Sequence, residues 1–548
     1  MNLSQPSLSI KPSQLTDSLN VEIRDGAVRT RSGFKFVKDN TGQPNLPQII
    51  LGIHHDRNFH IGAPTNKLVV IGQEGSGETT PNRVEAGLSL DGGATWSSVV
   101  APDNDLSATY DYHMSFATAI DDETGNGLPT HRYLLACISP THPHYPRDTV
   151  TQENFIMEYN GTSWSNMTAD FTGSGSTNVM ANKILIYFGR LVLFGYGEAG
   201  GSNSVEIIWS AQDDHDDFHD GGSSNVFITD GGGAIVDAYP LRDQLVCYKE
   251  NSILVGTRLT TSPYIRWFPQ VTDVGLMGPN MVGVYRDMHF FVGTNNIYIY
   301  RGGAELIPIG KPIWSQFLED MRDGGASATK LYRHRCFTAV HHDTAQIAFW
   351  IVTGTNNFPT KAYVYSVDDN AWTTWESPDD NSNKAEFKGV GLYKHDNTVN
   401  DAEIIPYYFD TATNDSIVSK YDFSTLTDYD PDASGSTIAI TSHATTKDFA
   451  ISLQDRNVWE EALFEVRGRA AASATTVSAS YDGGSTAFLD SQSWSLGNTQ
   501  NEVIKFRVGG GGGYKVRYKI SSDTAGKGFV WNSLEIIAQA RDAMEDSL

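Results

Sequence analysis

The most informative turn of this chain reads Ser89-Leu90-Asp91-Gly92-Gly93-Ala94-Thr95-Trp96. The carboxylate of Asp91 can accept hydrogen bonds from backbone N–H groups two residues further on, and the Gly pair supplies the positive φ values of a tight reversal. Trp96 then starts an outgoing strand with a large apolar ring that can pack between neighbouring sheets. The stretch therefore predicts a β-hairpin whose last residue anchors one sheet against the next.

This turn resembles the Asp-box, a hairpin that recurs in the blades of sialidases and related β-propellers. A degenerate copy without the Trp lies near the C-terminus, at residues 480–486. The resemblance leaves two hypotheses open, a glycan-cleaving enzyme or a scaffold built from blades. The residues predicted to shape the two turns are Ser89, Asp91, Gly93, Thr95 and Trp96 in the first box and Ser480, Asp482, Gly484 and Thr486 in the second.

Catalysis of the sialidase type needs a larger set of residues than these turns provide. It uses three arginines around the substrate carboxylate, a Tyr nucleophile with a Glu partner, and an Asp acid/base. Such enzymes also tend to carry an Arg-Ile/Leu-Pro segment ahead of their boxes, and the residues before Ser89 contain none. We therefore predict no catalytic residues and no enzyme activity, and keep a carbohydrate-binding or sialidase-like β-propeller as the alternative function.

Residues 47–425 repeat one loose theme of short β-rich runs, turns and an aromatic-ended strand, with a spacing of about 50–60 residues. This spacing predicts an irregular β-propeller of about six blades, with residues 384–425 as a candidate seventh unit. A pair of β-sandwiches, which also consists of short strands and turns, stays open as an alternative. A helix is expected at Ile313–Met321, where apolar residues recur every three or four positions.

The two ends of the chain differ from this middle part. Alternating residues on both sides of Asp25-Gly26 predict a type I′ hairpin that follows an extended arm. After residue 426, Thr and Ser dominate and alternating strands indicate a β-sandwich. The sequence thus predicts an all-β chain of three parts: an arm and hairpin at 1–46, a propeller at 47–425 and a sandwich at 426–548.

The net charge of −25 argues against a protein that wraps nucleic acid, because phosphates bind an excess of Lys and Arg. Plain solubility explains such a charge, and so does DNA that must slide past without sticking. Three cysteines (Cys137, Cys247 and Cys336) lie in apolar runs and are expected to be buried free thiols. The chain shows no apolar run of membrane-spanning length and no signal-like start, so we expect a protein made in a reducing cytoplasm without a membrane span.

Histidines and carboxylates form three groups that we considered as metal sites. The doublets His54-His55 and His341-His342 would point to opposite faces of a strand, and His142-Pro143-His144 has no nearby companion. The acidic loop Asp213–Asp220 lacks the Gly and distal Glu of an EF-hand. We predict core or surface histidines, a solvated loop, and no metal or cofactor; a divalent cation on the loop is the open alternative.

Several segments together resemble the tail nozzle proteins of short-tailed bacteriophages, which are also called tail tubular protein B or packaged-DNA stabilisation proteins. The similar segments are the hairpin Leu19–Gly33, the strand and loop Ile207–Asp214, the hairpin Leu245–Ile253, the turn Gly275–Asn280 and the strand pair Phe290–Tyr298. The resemblance covers most of the chain, although Asp213 stands where these proteins usually have Gly.

The resemblance implies a structural virion protein of the phage tail. We then expect a homo-oligomer, a hexameric ring that continues the DNA channel below the portal and adaptor, retains packaged DNA and conducts it on ejection. Its partners would be the adaptor (the head-to-tail connector), tail fibre or spike and needle or tip proteins, and double-stranded DNA that passes without specific binding. Such a protein is assembled in the host cytoplasm and resides in the virion. A general propeller interaction module is a third hypothesis.

Overall fold

The structure is a computed structural model. It describes residues 15–39, 46–47, 49–56, 67–73, 83–90, 95–99, 101, 112–121, 131–140, 156–171, 176–195, 197–198, 201–202, 204–322, 333–354, 356–379, 384–391, 393–394, 403–404, 406–410, 416–430, 436–450, 457–481, 488, 490–507, 512–513 and 515–540.

Strands make up nearly all of the regular structure in this part of the chain. The N-terminal strands are β1 (Leu15–Leu19), β2 (Val21–Arg24), β3 (Ala27–Thr30) and β4 (Gly33–Asp39). They are followed by β5 (Ile49–Asp56), β6 (Lys67–Gln73), β7 (Val84–Ser89), β8 (Ser97–Val99), β9 (Tyr112–Asp121), β10 (His131–Pro140), β11 (Ile156–Tyr159), β12 (Trp164–Asn166), β13 (Thr168–Asp170), β14 (Ser176–Met180), β15 (Lys183–Tyr187), β16 (Arg190–Phe194), β17 (Gly197–Glu198), β18 (Gly201–Ser202), β19 (Glu206–Trp209) and β20 (Ser224–Phe227).

The middle of the chain continues in the same way, and its described residues contain one α-helix, α1 (Trp314–Arg322), which confirms the helix expected from the sequence. Its strands are β21 (Ile235–Leu241), β22 (Gln244–Lys249), β23 (Ser252–Arg258), β24 (Ile265–Thr272), β25 (Val282–Tyr285), β26 (Met288–Val292), β27 (Ile297–Tyr300), β28 (Leu306–Pro308), β29 (Phe337–His341), β30 (Gln346–Ile351), β31 (Lys361–Ser366), β32 (Ala371–Glu376), β33 (Glu386–Val390), β34 (Tyr393–Lys394), β35 (Glu403–Ile404), β36 (Pro406–Asp410) and β37 (Ser416–Asp422). Two short 3-10 helices cover Arg333–Arg335 and His342–Thr344.

The C-terminal strands are longer than those of the middle part. They are β38 (Thr427–Tyr429), β39 (Thr437–Ala439), β40 (Ser442–Thr446), β41 (Asn457–Gly468), β42 (Ser473–Tyr481), β43 (Asp490–Leu496), β44 (Glu502–Arg507), β45 (Gly512–Gly513), β46 (Val516–Ser522) and β47 (Phe529–Ala540).

The described part of the chain contains eight four-stranded antiparallel sheets, of which β13-β14-β17-β18 lies between the second and third blades in chain order and the other seven form the blades of a propeller. The first six are β5–β8, β9–β12, β15-β16-β19-β20, β21–β24, β25–β28 and β29–β32, and the seventh is β33-β36-β37-β4. Contacts link β33 to β5, so the last blade meets the first and the ring is closed. The predicted irregular β-propeller is confirmed, and the candidate unit at 384–425 supplies its seventh blade.

Apolar clusters fill the spaces between adjacent blades, because each sheet has two apolar faces to bury. Val69 and Leu134 join the first two blades, and Trp209 and Leu245 join the third to the fourth. Trp96 packs with Val70 and Tyr408 between the first and seventh blades. Successive clusters therefore run around the whole ring.

The seventh blade obtains its outer strand from the N-terminus. β4 pairs antiparallel with β37, with Gly33 opposite Asp422 and Phe34 opposite Tyr421. The ring thus closes by hydrogen bonds between the two ends of the propeller sequence.

The C-terminal β-sandwich, also predicted from the sequence, includes three N-terminal strands. One sheet has the order β1-β40-β46-β42-β43, and the other has the order β2-β3-β47-β41-β44, with β45 beside β41. Asp25 and Gly26 both have positive φ in the turn between β2 and β3, which confirms the type I′ hairpin. The N-terminal arm and hairpin is therefore built into this sandwich, and the division at residues 46 and 425 stays a prediction.

The two chain crossings between sandwich and propeller are joined by a buried ion pair. Arg31, between β3 and β4, is fully buried and donates from Nη1 and Nη2 to the two carboxylate oxygens of Asp428 at 2.8 and 2.6 Å. Its Nε donates to Asn20 Oδ1 at 2.9 Å, and Nη2 also donates to the carbonyl of Glu376 in the sixth blade at 3.0 Å. Burial disfavours the guanidinium charge, but the carboxylate of Asp428 outweighs this and raises the pKa of Arg31.

Arg31→Met should strongly destabilise the fold, because it leaves the Asp428 carboxylate buried without its ion-pair partner. The expected loss in the free energy of unfolding is about 3–5 kcal/mol, measured by chemical denaturation. Arg286→Met is the matched control, since Arg286 forms an exposed ion pair with Asp368 and should leave the midpoint unchanged. Equal denaturation midpoints for the two variants would show that the buried ion pair does not hold the sandwich and the propeller together.

A buried histidine lies between the fourth and fifth blades. His289 is inaccessible to solvent, its Nε2 donates to the carbonyl of Pro240 at 2.9 Å, and its Nδ1 accepts from the hydroxyl of Tyr248 at 2.9 Å. This pair of partners fits the neutral ring with its proton on Nε2. Burial lowers the pKa of His289 to about 4.

Acid should therefore weaken the fold through this residue. The unfolded chain takes up the proton near pH 6.5 and the folded chain only near pH 4, so stability falls as the pH drops through this window, by up to about 3 kcal/mol. Unfolding measured from pH 7 to 4 should show a shallower pH slope in His289→Gln. His219→Gln, at an exposed position, should keep the slope of the unmodified protein. An unchanged slope in His289→Gln would refute this assignment.

Candidate functional site

A cavity of about 500 Å³ lies on the axis of the propeller. The first strands of the seven blades surround this axis, and each of them contributes to the cavity wall. Each strand contributes at least one lining residue; examples, in blade order, are Ile49, Tyr112, Lys183, Tyr239, Val282, Phe337 and Lys388. A cavity bordered by all seven innermost strands can lie only where they converge.

The cavity lies at the end of the propeller where most inner strands begin. Ile49, Tyr112, Lys183, Val282 and Phe337 are the first residues of β5, β9, β15, β25 and β29. The segments that precede these strands add Asn280 and Arg335 to the lining. Side chains from all around the ring thus converge on one axial site, a usual position for ligand pockets in closed β-architectures.

Aromatic rings and polar groups share the cavity wall. The rings belong to Tyr112, Phe116, Tyr239, Phe337, Phe358 and Tyr408. The polar lining includes Thr338, whose hydroxyl is buried and has no hydrogen-bond partner among the described residues. A ligand with both apolar faces and hydroxyl groups would match this mixture.

One wall is built on a buried ion pair between the third and fourth blades. Lys183 Nζ lies 3.0 Å from Asp237 Oδ1, and both side chains are almost inaccessible. Asp237 also accepts from the Tyr239 hydroxyl at 2.8 Å and from the Asn280 N–H at 2.9 Å. Burial acts to raise the pKa of Asp237, but Lys183 and these donors lower it. The charges of this wall are thus compensated within the protein.

A second wall carries two cations around one ring. The Arg335 guanidinium lies 4.7 Å and Lys388 Nζ lies 4.9 Å from the ring centroid of Phe358. Arg335 Nη1 donates to the carbonyl of Asn357 at 2.7 Å, which fixes the guanidinium beside the ring. Glu386, two residues before Lys388 on β33, accepts from the N–H groups of Asn357 and Phe358 at 3.3 and 3.2 Å. Burial raises the pKa of this carboxyl.

The Asp-box residues lie away from this cavity where the structure describes them. Ser89 ends β7 and is buried, Thr95 is exposed, and Trp96 packs between blades. In the second box, Ser480 is buried in β42 of the sandwich. Asp91, Gly93, Asp482, Gly484 and Thr486 lie outside the described residues.

The described histidines, cysteines and loop carboxylates that we considered from the sequence lie in the core or form hydrogen bonds within the loop. His341 is in the core, where its Nε2 lies 2.9 Å from the Tyr407 hydroxyl, and Cys137, Cys247 and Cys336 are buried free thiols, as expected. In the loop, Asp217 accepts from the N–H groups of His219 and Asp220 at 2.8 and 2.9 Å. The described residues contain no group of three or more His, Cys, Asp or Glu side chains placed to hold a metal ion. His142-Pro143-His144 lies outside them.

The residues that form the cavity were missed from the sequence. Lys183, Arg335 and Lys388 are far apart in the sequence, and no motif connects them. Their positions within the repeated units were the one available signal. Lys183 begins the first strand of its unit and Arg335 comes just before one, and the first strand of each unit lies next to the axis of the propeller.

Comparisons with known proteins place sugar-cleaving enzymes among the similar solved structures. No family model and no curated protein matches the chain. A Trypanosoma rangeli sialidase in complex with the inhibitor DANA has a TM-score of 0.32 at 9% identity, covering 97% of this chain and 96% of that chain. A Penicillium chrysogenum alpha-L-arabinanase complexed with arabinobiose has a TM-score of 0.31 at 12% identity, with 72% and 98% covered. A GH93 alpha-L-arabinofuranosidase of Fusarium graminearum has a TM-score of 0.32 at 12% identity, with 72% and 97% covered.

Two predictions from the sequence are wrong by this comparison. The similar structures named above are a sialidase, an arabinanase and an arabinofuranosidase, so they contradict both the resemblance to tail nozzle proteins and the prediction of no enzyme activity. The hexameric ring, the adaptor and tail partners, the passing DNA and the virion location lose the resemblance that implied them. At these TM-scores the similarity carries no argument for an activity of this chain.

No helix in the described part is long and apolar enough to cross a membrane.

Trp96→Ala should destabilise the propeller, because the Trp96 ring fills the space between the first and seventh blades. The expected loss in the free energy of unfolding is about 3–5 kcal/mol, measured by denaturant titration. Leu90→Ala, in the same turn but 64% exposed, should change it by less than about 0.5 kcal/mol. If Trp96→Ala were as stable as Leu90→Ala, the ring would not hold the first blade against the last.

Proposed function

We propose that this chain is a carbohydrate-binding β-propeller whose ligand occupies the axial cavity. The observation that carries the proposal is the cavity itself, a single space bordered by all seven inner strands and lined by aromatic rings interspersed with polar groups. Its volume of about 500 Å³ falls within the usual range of small-molecule pockets.

The lining suits the two surfaces of a sugar. A sugar ring has apolar C–H faces, which pack on aromatic rings, and a rim of hydroxyl groups, which need hydrogen-bond partners. The cavity offers rings such as Tyr112 and Phe116 for the first and groups such as Asn280 and Thr338 for the second. The buried hydroxyl of Thr338, unpartnered among the described residues, would gain a partner from a bound sugar.

Hydrolysis of a glycosidic bond commonly needs two carboxyl groups that flank the bond. Among the lining residues that the structure describes, none is Asp or Glu. We therefore propose binding of a sugar and not its hydrolysis. An assay for the release of reducing sugar, run beside the binding measurements, tests for hydrolysis.

Val390→Trp should abolish sugar binding, because Val390 lines the cavity at the end of β33 and an indole there would fill it. The unmodified protein is first screened on a glycan array, and an oligosaccharide that it retains is then titrated by calorimetry. We expect affinity to fall at least about tenfold in Val390→Trp, which corresponds to about 1.4 kcal/mol.

Val503→Trp is the matched control, since Val503 is 65% exposed on the sandwich and the same substitution there should leave the affinity unchanged. Thr338→Val, a nearly isosteric change, tests the cavity a second time if Val390→Trp fails to fold. An array without any retained glycan, or equal affinity in all three variants, would overturn the proposal.

A further inference from the structure

We infer that the sugar in the axial cavity is recognised through two neighbouring hydroxyl groups of its ring, one bound to the Thr338 hydroxyl and the other to the side-chain amide of Asn280. This inference rests on the proposed function and names the class of its ligand, a sugar with an unsubstituted vicinal diol.

The Thr338 hydroxyl is the first of the two contact groups. Thr338 is the second residue of β29 in the sixth blade, lines the cavity and is 9% exposed. Its Oγ1 is buried and forms no hydrogen bond with any described residue. Because a buried hydroxyl without a partner costs free energy, a ligand group that pairs with it gains affinity.

The fifth blade restricts the orientation of this side chain. Gly283 lies on β25 beside the Thr338 methyl group, and a Cβ at position 283 would be 2.9 Å from Thr338 Cγ2. The glycine thus leaves the space that the methyl group occupies, and the χ1 angle of a β-branched residue is stiff. The hydroxyl is therefore held in place before a ligand arrives, which lowers the entropy cost of binding.

Asn280 places a second polar group beside the first. Its carbonyl accepts from the Thr338 N–H at 2.8 Å, so the two residues are adjacent although they belong to the fifth and sixth blades. Its own N–H donates to Asp237 Oδ2 at 2.9 Å. The backbone of Asn280 is fixed on both sides, whereas its half-buried side-chain amide forms no hydrogen bond with another described residue.

An amide and a hydroxyl side by side match a vicinal diol. The amide of Asn280 offers an acceptor oxygen and two N–H donors, and the Thr338 hydroxyl both donates and accepts. Each hydroxyl of a sugar also donates and accepts, so it can pair with either group. Since Asn280 and Thr338 are adjacent, the two hydroxyls that reach them together must be neighbours on the sugar ring. A sugar that lacks one of them loses one hydrogen bond.

The test titrates the protein by calorimetry with the methyl glycosides of glucose, galactose and mannose, and with forms of each that lack a single hydroxyl group. We expect at least one parent glycoside to bind. Removal of either of two neighbouring hydroxyls should weaken its binding about fivefold or more, because a hydrogen bond to Thr338 or Asn280 is lost.

Thr338→Val identifies the hydroxyl that this residue contacts. The change keeps the shape of the side chain and removes a buried group without a partner, so the fold should not be destabilised. It should abolish the preference for the parent glycoside over one of the two deoxy forms and retain the preference over the other. Asn280→Gly should do the converse, because glycine accepts the Asn280 φ of 58°.

Each variant has a matched control. Thr475→Val removes another buried hydroxyl without a partner among the described residues, on β42 of the sandwich, and Asn370→Gly replaces another asparagine of positive φ, in the turn between β31 and β32. Both controls should keep both preferences.

Two results would overturn this inference while leaving sugar binding intact: sensitive hydroxyls that are not neighbours on the ring, or preferences that neither Thr338→Val nor Asn280→Gly alters. Failure of all three parent glycosides to bind would also overturn it. If the glycan array retained nothing as well, the proposed function would fail with it.

Discussion

The buried ion pair between Arg31 and Asp428 is the constraint on which the rest of the structure depends. It joins the two places where the chain crosses between sandwich and propeller, one before β4 and one after β37. These strands pair with each other in the seventh blade, so the pair that fixes the crossings also fixes the closure of the ring. A closed ring is in turn what brings seven inner strands around one axial cavity.

The sequence was sufficient for the fold class and for the local turns. Short strands at regular spacing predicted a propeller, and Asp25-Gly26 predicted a hairpin that the positive φ of both residues confirms. Sequence was less informative about long-range pairing. β1–β3 alternate like any hairpin strands, and nothing local in them reveals that they join sheets whose other strands lie more than 400 residues further along the chain.

The axial site could not be predicted for a related reason. A motif search finds residues that lie close together in sequence, whereas this cavity collects residues from all seven blades. The turn at Ser89–Trp96 attracted attention as a motif, yet its Trp96 packs between blades and its buried Ser89 lies away from the cavity. Lys183, Arg335 and Lys388 come to line the same cavity only after the ring closes. The weak segment matches to tail nozzle proteins led to a function that the solved structures contradict.

The central claim is that the propeller axis is a binding site for a sugar. The most direct test is a crystal structure of the protein grown with the oligosaccharide that it binds most tightly in the titrations. The account predicts a sugar ring in the axial cavity, with one of its hydroxyl groups within hydrogen-bonding distance of the Thr338 hydroxyl. A sugar bound on the sandwich or on the outer strands, with the axial cavity filled only by water, would contradict it.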